Sequence, residues 1–253
     1  MTSAAATTLA ALRRSIASLE RVNVSFSARD TGLAQGPLDF CDAPPLAASL
    51  HEVAARSECE MAAATGFALP LAACAARGRS VLWVAGEMAL AESGALYGPA
   101  LEDCGLKPER LIRVAATRER DVLWAMEEGL RCRSVGAVLA EIRMEDVGLI
   151  ASRRLSLAAG RDGTAAFLLR AMPSDEPVAA ATRWIVGAAP SAVSAHGPGP
   201  PRFAVRLTRN RRGSLGSWIV EWNSVEQRFE LAADRQPLAE TVVDRPPRAA
   251  TGA

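Results

Sequence analysis

Glu87 and Glu141 are the side chains best placed to do acid–base or metal chemistry. Each follows an apolar run, Val81 to Gly86 in one case and Val135 to Ala140 in the other. A carboxylate at the end of a buried strand can activate water for phosphoryl transfer or hold Mg²⁺, provided a triphosphate is gripped beside it. That grip needs glycines whose bare backbone wraps the anion and a lysine that reaches the β- and γ-phosphates. The chain has one lysine, Lys107, and it sits in a Gly-Leu-Lys-Pro turn. Without a cradle Glu87 has nothing to act upon and reads as vestigial or structural. Glu141 lies in an otherwise apolar strand, where a buried carboxylate costs several kcal/mol unless paired. It could hold magnesium; the preferred reading places it partly solvated at the strand end or paired with an arginine such as Arg143.

The other candidates are weaker. His51-Glu52 begins like a zinc-peptidase helix, but no second histidine follows four residues later. His51 and His196 are the only histidines, which disfavours a His-based metal site or a Ser-His-Asp triad. Ser93 lacks the flanking glycines of a nucleophile elbow. Glu127 and Glu128 read as a solvated helix face. Arg202, Arg206, Arg209, Arg211 and Arg212 gather around a hairpin, and strand alternation puts Arg202 and Arg206 on one face. They could touch phosphates while Trp218 or Trp222 stacks on bases, a weak DNA contact or a partner contact. The preferred alternative is a solvated turn over a tryptophan-filled core. No catalytic residue, cofactor or metal is therefore expected.

Net charge is +1 over 253 residues, so the whole chain is no polycation and global charge makes no case for nucleic acid. Hydrophobic residues are 49%, ordinary for a globular protein with one core domain. The five cysteines are scattered without a Cys-x-x-Cys pair, against a disulfide framework or zinc knuckle. Reduced thiols in a cytoplasmic protein are the simplest reading. Met1 to Leu12 shows no signal-peptide pattern. The longest uncharged run, Met61 to Ala76, is too short to span a bilayer and reads as a buried helix; no membrane association is expected.

Three regions are expected: an N-terminal helix and linker (1–45), a core (46–232) and a disordered tail (233–253). Leu9, Leu12, Ile16 and Leu19 recur at helical spacing and form either a self-packed face or a partner-docking helix. Leu46 to Arg77 is expected to be mostly helical, with a break around Gly66 to Pro70. Strands follow at Val81–Val84, Leu111–Ala115, Val135–Ile142 and Ala165–Leu169. Helices alternate with them at Ala89–Cys104, Arg118–Cys132 and Leu149–Ala159. That alternation implies βαβ units and a mainly parallel sheet. After Pro177, short runs at Arg183–Gly187, Arg202–Arg209, Ser217–Trp222 and Arg228–Leu231 predict an antiparallel meander that extends it.

In this order the segments resemble the RecA superfamily, and more closely the ImuA family of accessory proteins in bacterial damage-induced mutagenesis. The RecA likeness rests on Ala-Arg-Gly-Arg-Ser leading into Val81 to Leu90, on Cys104 to Leu111, on Val135 to Glu141 as a Walker B-like strand, on Arg153-Arg154-Leu155 with Ala165 to Arg170, and on Val205 to Asn210. The ImuA likeness rests on Leu123 to Glu128, Thr182-Arg183-Trp184, Gly216-Ser217-Trp218 and Glu221-Trp222. It spans roughly 46 to 231. It implies an α/β, RecA-like sheet flanked by helices. The segment answering to the phosphate loop, Ser57 to Ala64, has no glycine or lysine and carries two acidic side chains. The regions answering to the DNA-contacting loops are short. The resemblance therefore implies a non-enzymatic adaptor in SOS-inducible translesion synthesis. Its implied partners are an ImuB-like inactive Y-family polymerase homologue, RecA and, indirectly, an error-prone C-family polymerase. The alternatives are a residual or partner-completed ATPase using Glu87 and Glu141, and a cell-division inhibitor like SulA.

Overall fold

The computed structural model describes residues 46–232, apart from 47, 95, 144–146, 192, 195–196 and 212–214. The expected N-terminal helix with Leu9, Leu12, Ile16 and Leu19, the tail from 233 and Arg212 lie outside the described residues.

Strand β1 (Leu50–Ala55) is buried at every position. This corrects the expectation of helix from Leu46. A strand covered on both faces carries no alternation, so its apolar run cannot be told from a buried helix by period. A short turn containing a 3-10 segment (Glu58–Glu60) then leads into α1 (Met61–Ala76). The helix runs unbroken through Gly66 and Pro70, contrary to the expected break. Gly66 has a packing reason, since a Cβ there would approach the Phe203 ring at 3.2 Å. Together with the 3-10 turn the helical run is 19 residues, Glu58–Ala76, apolar and long enough by composition to cross a membrane. Here it lies along the sheet against β1, β2 (Ser80–Gly86), β4 (Val135–Ile142), β5 (Ala165–Arg170) and β6 (Thr182–Ala189).

The single helix expected over Ala89–Cys104 is two short ones, α2 (Glu87–Ser93) and α3 (Gly98–Asp103). Gly94, at φ +76°, ends the first, a conformation that glycine adopts without a Cβ clash. Then come edge strand β3 (Leu111–Ala116), α4 (Glu119–Leu130) and α5 (Leu149–Asp162). After β6, two-residue strands β7 (Val193–Ser194) and β8 (Gly197–Pro198) pair with each other. β9 (Arg202–Asn210), β10 (Gly216–Asn223) and β11 (Arg228–Leu231) complete the main sheet.

That sheet has nine strands in the order β11-β10-β9-β6-β1-β5-β4-β2-β3. The six from β6 to β3 are parallel, and β9, β10 and β11 join antiparallel. The mainly parallel α/β sheet with an antiparallel extension is as expected. On one face α1 and α3 enclose an apolar core with Phe67, Phe167, Trp184, Phe203 and Phe229. On the other, α4 and α5 cover Leu50, Val84, Val138 and Leu168.

Candidate functional site

In an open α/β sheet ligands sit at the carboxyl ends of the parallel strands. The ends of β2 and β4 here carry the sequence-predicted acids Glu87 and Glu141, and the turn after β1 carries Glu60; internal arginines hold Glu60 and Glu141.

The β1–α1 turn is closed by its own side chains. Arg56 Nε donates to Glu60 Oε2 at 2.8 Å, and its Nη2 binds Oε1. Ser57 Oγ donates to Oε2 at 3.1 Å, and the Ala188 N–H donates to Oε1 at 3.1 Å. Burial alone would raise the Glu60 carboxyl; the donors from Arg56, Ser57 and Ala188, with the Arg56 charge, win and hold it below its usual range. The turn thus supplies its own anion.

Glu141 is 2% exposed. Arg143 Nε donates to its Oε1 at 2.7 Å, which meets the expected pairing. The same guanidinium binds Glu92 and the Ser93 hydroxyl of α2, and the Arg143 N–H donates to Glu119 at 2.8 Å. Glu141 is thereby neutralised and hydrogen-bonded by the chain's own arginine. Glu87 is exposed at the start of α2, with Thr117 Oγ1 donating at 3.4 Å. Among the described residues no three His, Cys, Asp or Glu side chains converge as a metal site.

Between α1 and the α2–α3 segment lies a cavity of about 530 Å³. Trp83, Arg113 and Glu141 share the sheet face beneath it, with Trp83 in register with Arg113 on β3 and Leu139 on β4. Cys104 is in its wall, and burial, helped by Asp103, pushes the thiol up to about 11.

A second buried pair escaped the sequence reading. Glu52 Oε1 accepts from Arg183 Nη2 at 3.0 Å, and Oε2 lies 2.9 Å from Nε, within ion-pair range though not aligned for a hydrogen bond. Arg183 also donates to the carbonyls of Ser174 at 2.6 Å and Glu176 at 3.2 Å, and Arg209 to that of Val178 at 3.0 Å. The short segment after β5 is pinned by its backbone. The signal available in sequence was Glu52 itself, a carboxylate inside an apolar run.

The arginine–tryptophan hairpin does not form the imagined platform. Trp218 and Trp222 are 8% and 3% exposed, and the Trp222 Nε1–H donates to the Asp103 carbonyl at 2.7 Å. Neither offers a face to a base; Trp218 packs with Trp184 and Trp222 with Phe229. Arg202 and Arg206 do share a face, opposite Glu221 and Ser217 in register. Arg202 is engaged by Glu221 at 2.6 Å, while Arg206 and Arg211 are exposed. His51 is a core histidine. Its Nε2–H donates to the Leu46 carbonyl at 3.2 Å, and its Nδ1 meets Thr182 Oγ1 at 2.8 Å.

Fold and site together define an α/β protein with a mainly parallel sheet whose strand-end carboxylates Glu60 and Glu141 are held by the chain's own arginines. No family model matches the chain. It is 34% identical over 157 residues to Protein ImuA of Caulobacter vibrioides strain NA1000/CB15N, and equally to Protein ImuA of strain ATCC 19089/CB 15. The match covers 57% of this chain and 61% of each relative, so the chain spans less than two thirds of the relatives' length. The resemblance to the ImuA family is borne out by these two relatives.

Proposed function

We propose that this protein is a non-enzymatic adaptor in damage-induced, error-prone translesion synthesis, binding an ImuB-like inactive Y-family polymerase homologue, RecA, or both. The similarity to ImuA supports the setting. The observation that carries the mechanism is the pair of internal arginine clamps: Arg56 on Glu60 and Arg143 on Glu141 neutralise the carboxylates at the ends of β1 and β4, where a nucleotide site would need a bare cradle and a free ligand for magnesium.

An adaptor needs surfaces that favour protein contact. Trp124 on α4 is 65% exposed, and Ile150 and Leu157 on α5 are 83% and 61% exposed. Both helices return across parallel strands, so they run parallel to one another. Glu127 joins them, accepting from Arg154 of α5 at 2.5 Å and from Arg131 at 2.7 Å. Trp124 and Ile150 lie one turn before that bridge and Leu157 one turn after it, so exposed apolar side chains flank it on both sides. Exposed tryptophans are enriched among residues that dominate protein interfaces.

Co-purification of the full chain from intact and damaged cells tests the proposal. Capture of the ImuB-like protein or RecA is expected, with capture reduced by Trp124→Glu. Capture of neither from either source overturns it. Heat of binding or turnover with ATP and Mg²⁺ would overturn the non-enzymatic part.

A further inference from the structure

Trp83 lines the cavity between α1 and the α2–α3 segment and carries a donor that the protein leaves unused. The side chain is 3% exposed, and its indole Nε1–H has no acceptor. Buried indoles elsewhere in the chain find one: Trp184 donates to Thr182 Oγ1 at 2.9 Å and Trp222 to the Asp103 carbonyl. A buried indole N–H without a partner asks for an acceptor from outside. The surrounding walls are apolar, with Met61 and Leu69 from α1 and Leu90, Leu96 and Leu101 opposite. Cys104 adds a neutral thiol.

The charges around the cavity disfavour an anion. Three lining residues are acidic (Glu58, Glu92, Glu141) and two basic (Arg113, Arg143), and Arg143 is spent on Glu92 and Glu141. A polyphosphate would meet a net charge of −1. A neutral group with an apolar body and a carbonyl oxygen fits. At about 530 Å³ the space is ample for a branched side chain with its backbone. Tyr97 in the lining is 71% exposed, leaving an aromatic rim for the chain on either side of the anchor.

We propose that this cavity is a docking pocket for a partner protein, taking one aliphatic side chain into its apolar walls while a peptide carbonyl of the same segment accepts the Trp83 indole N–H. The proposal rests on the adaptor reading and names the site through which it acts.

Titration of the ¹⁵N-labelled full chain with N-acetyl-leucinamide, a neutral aliphatic amide, tests it. The indole resonance of Trp83, assigned with Trp83→Phe, is expected to move downfield and saturate while the other indoles stay. Ala100→Phe adds bulk in the lining from an exposed position. It is expected to keep the melting temperature and weaken the response roughly ten-fold or more. An unmoved Trp83 resonance, or an equal response in Ala100→Phe, overturns the proposal. The same variant is then compared with wild type in the co-purification. Roughly ten-fold weaker capture supports the pocket. Undiminished capture overturns the pocket and leaves the adaptor reading standing. Capture of nothing by wild type overturns both.

Discussion

Arg143 Nε lies 2.7 Å from Glu141 Oε1, and the same guanidinium reaches Glu92, Ser93 and the Ala89 carbonyl. One side chain therefore ties the end of β4 to helix α2 and neutralises a carboxylate that is 2% exposed. Removing one partner of a buried pair strands the other charge, which costs more than the pair contributes. Arg143→Ala is expected to lower unfolding free energy by about 3 kcal/mol. Glu141→Leu in the same background should recover much of that loss by removing the orphaned charge. Urea unfolding of the two variants beside wild type measures both effects. If Arg143→Ala matches wild type, the clamp is not structural.

Glu60 gives the chain a pH signature. Its donors hold the folded-state carboxyl below the ordinary value of 4.5. A group whose folded value is depressed contributes stability that is present above the unfolded value and lost as pH falls through the folded one. Glu60→Gln is thus expected to be less stable than wild type at neutral pH, by about 1 kcal/mol after allowance for solvent screening. The gap should close as pH is lowered through and below the usual carboxylate range. Unfolding curves from pH 7 downward test it, and a gap that widens in acid would reverse the sign.

How much of this was legible in the sequence differs by element. β4 was read with its observed bounds, Val135–Ile142, because eight apolar-rich residues between turn signals leave little choice. The meander was legible because its strands alternate and its turns carry Asn and Gly. β1 was not: Leu50–Ala55 is buried on both faces, and the Ala-rich run behind it pulled the reading toward helix. Glu141 with Arg143 was legible, being two residues apart on one strand end. Glu52 with Arg183 was not, because the two stand 131 positions apart and are brought together only when β6 docks beside β1. The cavity over Trp83 was invisible for a related reason, since a void is a property of how α1, α2 and α3 meet and of no single segment.

The thiols should separate by reactivity. Cys59 and Cys132 are exposed, whereas the Cys104 thiol is pushed up to about 11 by burial beside Asp103. Only the thiolate reacts with iodoacetamide. At pH 8, peptide mapping is expected to find Cys59 and Cys132 alkylated and Cys104 spared until urea is added. Native Cys104 labelling should rise steeply only as pH approaches 11. Equal rates for Cys104 and Cys59 at pH 8 would contradict the half-buried placement that also shapes the cavity wall.

Gly136 is where the fold leaves no room. It lies on β4 beneath the C-terminal end of α1, and a Cβ there would sit 2.5 Å from the Ala76 carbonyl oxygen and 2.6 Å from the Ala76 Cα. Both are backbone atoms, so relief requires the helix end to lift from the sheet rather than a side chain to turn. That displacement would open the core around Ala72 and Ala76, both fully or almost fully buried. Gly136→Ala is expected to cost about 3 kcal/mol or more, in the range of overpacked core sites. Gly148, before α5, has nothing within 4 Å of a built Cβ and an ordinary φ of −59°. Gly148→Ala should therefore stay within about 0.5 kcal/mol of wild type, as surface substitutions do. Thermal melts of the two variants separate the cases. A Gly136→Ala protein as stable as Gly148→Ala would mean that α1 does not lie against β4 as closely as these distances require.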